Sequence, residues 1–206
     1  LEVRQGLSLL GQNGVDRGRA ETYLGGAGSA EAHLRDYKML ADKMVAIDPG
    51  NRKWQTEVGY ADTNLGTSLL AQHRYAEASR QFAGGLRTVE SVASSDPKDG
   101  PRSVAEALAW LGESQFNEGR IESAIAQRER QVGILDSLMA RSSDVAFRES
   151  AIPALKALGR WLASTGAIDE GLKHSRRAVA IAEALMPIEP SNMNWVELSA
   201  GARLDL

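Results

Sequence analysis

Residues Asp48–Asp99 read DPGNRKWQTE VGYADTNLGT SLLAQHRYAE ASRQFAGGLR TVESVASSDP KD, opening on Asp48-Pro49-Gly50-Asn51 and closing on Asp96-Pro97-Lys98-Asp99. Between these marks Val58, Ala61, Leu65, Leu69 and Leu70 share one face of a helix running from about Asn51 to Gln72. After a polar turn at His73-Arg74, Ala78, Phe82, Leu86, Val89 and Val92 follow at spacings of four, four, three and three. That is helical periodicity, without the alternation of a strand. The second helix reads from Tyr75 to Ser95 and stops at Asp96-Pro97, because proline disfavours helix in the residue before it. The segment is a pair of helices joined by a short turn.

The pair recurs. The opening mark returns as Glu189-Pro190-Ser191-Asn192, with Trp195 standing where Trp54 follows the first mark, and Ser143-Asp144 before Phe147 fills the gap. The successive intervals, Asp48 to Asp96, Asp96 to Ser143 and Ser143 to Glu189, are 48, 47 and 46 residues. Leu65-Gly66, Leu111-Gly112 and Leu158-Gly159 repeat at 46 and 47, and twelve residues after each glycine stands Ala78, Ala124 or Gly171. Ala32 lies one period upstream of Ala78. Further pairs are expected at about Pro101–Asn117 with Arg120–Arg141, and at Phe147–Ser164 with Ile168–Met186. The repeating units are therefore 14–48, 51–96, 101–143 and 147–189, with a partial unit over 192–206, all in one domain. In the degenerate first unit, Val15–Leu24 and Ala30–Ile47 are the two helices; Leu1–Leu10 has no place in the pattern.

These residues resemble the tetratricopeptide repeat family, whose pattern asks for a Leu-Gly pair, an alanine twelve after the glycine and a large residue four later. Ala78 and Phe82 satisfy it in full; Arg128 and Ser175 stand at the last place in the other two units. The usual unit is 34 residues, so this is a long-repeat variant of about 47. The resemblance implies an all-α, right-handed superhelical solenoid of antiparallel helix pairs, with the small residues letting the two helices of a pair approach. It also implies that the first helices line a concave face, where the fifth and ninth positions are Thr63 and Thr67, Ala109 and Glu113, and Lys156 and Arg160. The carboxylate-clamp form of the family uses lysine and asparagine there, so Thr63, Thr67, Ala109 and Glu113 argue against a receptor for chaperone tails. The face instead runs from neutral to acidic at Glu106 and Glu113, then to basic at Lys156 and Arg160.

Trp110 stands out on that face. Leu108 and Leu111 take the core positions beside it, while helical spacing groups it with Glu106, Glu113 and Asn117. An exposed tryptophan there would anchor a partner; the competing reading packs it on the neighbouring unit. Trp54, Phe147 and Trp195 recur in register and read as structural, as does Trp161, which follows the core face of Leu158.

No catalytic or metal-binding pattern emerges. His33, His73 and His174 lie far apart and form no metal motif, and Gly25-Gly26-Ala27-Gly28 has neither a P-loop lysine nor a dinucleotide frame, reading as an interhelix turn. Asp169-Glu170 opens a helix, where its charge suits the dipole. Arg128-Glu129-Arg130 and Arg176-Arg177 read as solvated outer faces. With 24 Lys and Arg against 27 Asp and Glu there is no basic excess for nucleic acid. The absence of cysteine excludes disulfides and thiolate metal sites. Apolar runs fall far short of the roughly 20 residues of a membrane span. The expectation is a non-catalytic scaffold without cofactor, cytoplasmic, holding a protein or peptide in its groove and binding neither nucleic acid nor membrane. The alternative is a regulatory or sensor segment of a larger kinase, cyclase or transcription factor. The chain starts at Leu1 and ends inside a unit, so it reads as a piece of a longer protein, with Trp195, Val196 and Leu198 left uncovered on the last helix and self-association through its terminal helices the result.

Overall fold

At three of its occurrences the mark that opens a pair is a helix cap. Asn51, in extended backbone, accepts the Trp54 N–H on its side-chain oxygen at 3.4 Å, and Asn192 does the same for Trp195 at 3.4 Å. Asp144 caps Ala146 at 3.0 Å, and Asp96 accepts the Asp99 N–H at 3.0 Å just before the next helix. Such caps satisfy N–H groups that have no partner inside the helix. The turns inside pairs share a second device. His73, Gly119 and Gly166 all have positive φ, at 59°, 86° and 92°. His73 N–H donates to Leu70 O at 3.0 Å and Arg74 N–H to Leu69 O at 3.0 Å; Gly166 and Ala167 repeat this with Ala163 and Leu162. This is the left-handed helix stop that glycine suits best.

The computed structural model describes residues 27–204, with side chains described for 31–201. Among the described residues there are eight α-helices and no strand, and 83% of them are helical. In chain order they are α1 (Ala27–Ile47), α2 (Arg52–Ala71), α3 (Tyr75–Ala93), α4 (Gly100–Asn117), α5 (Ile121–Arg141), α6 (Val145–Ser164), α7 (Ile168–Leu185) and α8 (Met193–Leu204). The ends expected for the helix pairs hold to within two or three residues. Because α1 begins at Ala27, Ala27-Gly28 is helix and not turn, while Gly25-Gly26 and the helix read at 15–24 lie outside the described residues. The chain divides into two compact units, the first ending at Glu118 and the second starting at Gly119.

In the first unit each helix packs on the next, and α2 also touches α4. Small residues set the α2–α3 distance. Ala78 is fully buried, and a Cβ on Gly66 would stand 2.7 Å from the Phe82 ring, so only glycine leaves room for that ring. Leu65, Leu69, Phe82 and Leu108 are almost wholly inaccessible. Ala32, one period upstream of Ala78, is exposed. The helix register is repeated there, but no described helix covers it.

The α1–α2 contact buries polar groups. Tyr37 gives its hydroxyl proton to the Glu57 carboxylate at 2.5 Å; burial and that carboxylate both raise its pKa. Asp62 faces Lys38 at 3.4 Å, but Lys38 also pairs with Asp42 at 2.5 Å. Burial pushes the Asp62 carboxyl up to about 6, with Asp42 adding to the rise and Lys38 and Arg87 opposing it. An acid raised in the folded state favours folding below its unfolded value, near 3.8, and loses that contribution as pH rises through about 6. Asp62→Asn should therefore raise the unfolding free energy by about 1–2 kcal/mol at pH 7 and change it little at pH 4. Denaturant midpoints at the two pH values check this; equal gains at both would show that burial of the charge is not the cause.

The second unit repeats the plan with α5–α8, and α6 touches α8. Ala124 is fully buried, as expected. Its α6–α7 contact is the tighter one: a Cβ on Gly159 would stand 2.5 Å from Ser175 Oγ and 2.8 Å from Gly171 O. Two expectations fail here. Arg128, read as solvated, is 6% exposed; its guanidinium lies 4.7 Å from the Trp161 ring centroid and donates to Gln131 Oε1 at 2.7 Å. It fills the interior place that Phe82 occupies in the first unit, with the aliphatic stem packed and the charge held on an aromatic face. Arg177, half-buried, pairs with Asp136 through both guanidinium nitrogens, whereas Arg176 is exposed as expected. The other failure is the uncovered end: Trp195 is structural, as its register implies, being 3% exposed and donating its indole N–H to Glu149. Val196 and Leu198 are half-buried, and the large apolar side chain left well exposed among the described residues of α8 is Met193. Helices α6 and α7 already supply the cover that a following helix was expected to provide.

Candidate partner-binding cleft

Helices α2 and α4 stand beside each other in the first unit, and the C-terminal half of α3 lies behind them. Together they enclose a cleft of about 450 Å3. Its floor is apolar, from Gly59, Val89, Val92, Ala93 and Ala107. Tyr60 rises from α2 and Trp110 from α4, 58% and 41% exposed. The Trp110 indole is stacked on Phe82, ring centroids 5.8 Å apart and planes 13° from parallel. Trp110 thus packs on the neighbouring repeat, as the competing reading has it, and is still partly exposed. One face packs on the buried ring of α3, and the rest stays open to the cleft on a rigid backing.

Three of the residues singled out in the sequence line this cleft: Thr63, Glu106 and Trp110. Thr63 donates its hydroxyl to Gly59 O at 2.9 Å, and Glu106 pairs with Arg102 at 3.1 Å on an exposed surface, where such pairs hold weakly. Thr67 lies one turn further along α2, outside the cleft, and donates to Asn64 O at 2.8 Å. Glu113 is half-buried on α4 beside Asn117, whose amide donates to Glu113 O at 2.8 Å. Lys156 and Arg160 belong to the second unit: Arg160 is exposed on α6, and Lys156 is half-buried with its ammonium close to Gly201 of α8.

Among the lining residues that escaped the sequence reading, four carry a charge or an aromatic ring: Arg52, Tyr60, Asp96 and Asp99. Thr56, Tyr60 and Thr63 follow at four and three, the helical spacing that puts Tyr60 beside Thr63 on α2. Asp96 and Asp99 were read only as a helix stop.

The groups with displaced proton affinity sit elsewhere, where they hold helices together. Besides Tyr37 and Asp62, Glu31 is held below its usual range. Burial works against its ionised form, but hydrogen bonds from Arg35 and Gln72 and the charges of Arg35 and Arg74 outweigh it. Arg74 reaches Glu31 at 2.5 Å and Glu77 at 2.7 Å, joining α1 to α3. Among the described residues no three His, Asp or Glu side chains are grouped to hold a metal ion, and no helix is long and apolar enough to cross a membrane.

No family model matches the sequence, and no curated protein is significantly similar to it. Solved structures are. BtubC (BKLC) from P. vanneervenii superposes with a TM-score of 0.69 at 17% identity, over 87% of this chain and 65% of that one. The nearly identical TPR-like repeats of kinesin light chain type from Podosopora anserina give 0.60 at 18% identity, and a single-substitution variant of the same repeats gives 0.61 at 16%. Each of these two covers 94% of this chain and 85% of the other. The fold is tetratricopeptide-like. At these identities the likeness is one of architecture, and the chain spans less than two thirds of BtubC. In tetratricopeptide terms α2 with α3 and α6 with α7 are helix pairs, and the cleft lies between successive first helices, α2 and α4, over the second helix α3.

Proposed function

We propose that this chain is a non-catalytic protein-interaction scaffold that receives a peptide or partner segment in the α2–α3–α4 cleft, with Trp110 as its anchor. Thr63 and Glu106 flank the anchor, while Thr67 and Glu113 extend the same helices beyond the cleft. Lys156 and Arg160 are candidates for a second set of contacts on the other unit. The observation that carries the reading is the Trp110 indole, two-fifths exposed yet stacked on buried Phe82. A large aromatic fixed before binding loses little freedom when a partner covers it, which is why such residues dominate interface energetics.

Peptides selected from a displayed library on the intact chain provide the test. Trp110→Ala and Tyr60→Ala should each weaken the selected peptides roughly tenfold or more, the range of about 1–3 kcal/mol expected of an anchoring aromatic. Melting should change little in Tyr60→Ala, whose side chain is more than half exposed, while Trp110→Ala should lower it through loss of the Phe82 stack, so binding is compared well below the transition of either variant. Selected peptides that bind both variants as tightly as the parent would place the binding surface elsewhere.

A further inference from the structure

We infer that the α2–α3–α4 cleft is built for a cation, and that its occupant is an arginine side chain carried on a peptide. The inference rests on the peptide-binding reading above and adds the chemistry of the ligand. Five serine and threonine hydroxyls line the cleft, and each gives its proton to a backbone carbonyl three or four residues earlier: Thr56 to Arg52 O at 2.9 Å, Thr63 to Gly59 O at 2.9 Å, Thr88 to Gly84 O at 3.3 Å, Ser95 to Val92 O at 2.6 Å and Ser103 to Asp99 O at 3.1 Å. A hydroxyl whose proton is engaged still offers lone pairs, so these groups present acceptors to a ligand.

Charge points the same way. Asp96, Asp99 and Glu106 border the cleft, against Arg52 as the cation among its described lining residues and Arg102, whose exposed pair with Glu106 holds weakly. Asp99 heads α4 without using its carboxylate as a cap. The helix N-terminus that opens here would ordinarily favour an anion, but three of its first four backbone positions offer no free donor. Asp99 N–H binds Asp96 Oδ1 at 3.0 Å, Gly100 N–H binds Asp96 O at 2.8 Å, and Pro101 has no N–H. Acceptors, carboxylates and two exposed aromatic faces together suit a guanidinium, which carries five donors and stacks on rings. The apolar floor of Val89, Val92 and Ala93 suits the methylene stem of the same side chain. The volume of about 450 Å3 falls within the roughly 300–1,000 Å3 of small-ligand pockets.

The test uses the intact chain and capped pentapeptides Ala-Leu-X-Leu-Ala, with X as arginine, its neutral isostere citrulline, or glutamate. The readout is the Trp110 indole N–H resonance, assigned by its loss in Trp110→Phe. The arginine peptide should shift it saturably, and the citrulline and glutamate peptides should bind at least tenfold more weakly. Binding should weaken as salt rises, and should fall at least tenfold in Asp96→Asn/Asp99→Asn/Glu106→Gln. If the triple variant does not fold, Asp99→Asn/Glu106→Gln should show a smaller loss in the same direction. Citrulline or glutamate binding as tightly as arginine, or carboxylate variants binding as tightly as the parent, overturns the cation assignment while leaving the cleft a peptide site. Spermidine binding more tightly than the arginine peptide overturns the peptide as its source. No shift of Trp110 with any pentapeptide at millimolar concentration overturns both readings.

Discussion

Trp195→Ala should strip α8 of its hold on the second unit, at a loss of about 3–5 kcal/mol in local stability, the range for truncating a buried aromatic. The indole is nearly inaccessible, its N–H is donated to Glu149 of α6, and α8 packs on both α6 and α7. Truncation opens a void in that contact and leaves the Glu149 carboxylate without its donor. In a repeat array each element leans only on its neighbours, so the loss should concentrate where the contact was. Amide exchange is the suitable measurement: protection in α8 should fall to near that of an isolated peptide, while the interior of α6 and α7 keeps most of its own. Unchanged protection in α8 would mean that Trp195 is not what holds it. Along the sequence Trp195 reads as structural by its register but as uncovered at an open end; burial of the indole reverses the second reading, and its removal bears on folding.

That reversal marks the division between what can be read along one repeat and what depends on a neighbour. The helix pairs were legible because their ends are made by local chemistry. Asn51 and Asn192 cap the N–H three residues on, a bond that needs nothing from the rest of the chain. The positive-φ stops at His73, Gly119 and Gly166 keep the same 46- and 47-residue intervals as the Leu-Gly pairs. Ala78 was legible because a fixed small residue on an apolar face means close approach, and Ala78 is fully buried against α2. Arg128 was not. Its charge suggested solvent, and only the arrival of Trp161, 33 residues later, makes an interior place acceptable. The cleft was half legible for a related reason. Trp110 is conspicuous by type, but Tyr60, Asp96 and Asp99 become its neighbours only once α2, α3 and α4 are packed.

Gly159→Val should lower the unfolding free energy by about 3 kcal/mol, the upper part of the range for overpacking, whereas Gly133→Ala should raise it by about 0.5–1 kcal/mol. Local preference cannot explain that contrast, because valine and alanine both exceed glycine in helix propensity. Gly133 is exposed in the middle of α5, and a Cβ there meets nothing within 4 Å, so only the propensity gain remains. At Gly159 the new Cβ would come within 2.5 Å of Ser175 Oγ and 2.8 Å of Gly171 O, and the reciprocal Cβ on Gly171 would meet Gly159 O at 2.5 Å. A hydroxyl can rotate away; a helix carbonyl cannot. Helices α6 and α7 would have to separate, loosening Leu158, Leu162, Ala178 and Ala182, which are buried on these helices. Adding Ser175→Gly to Gly159→Val should recover only a small part of the loss, because the backbone of Gly171 stays in the way. Denaturant unfolding midpoints of the three variants decide it. Full recovery in the double variant would show that the hydroxyl, and not the approach of the two backbones, makes glycine necessary at position 159.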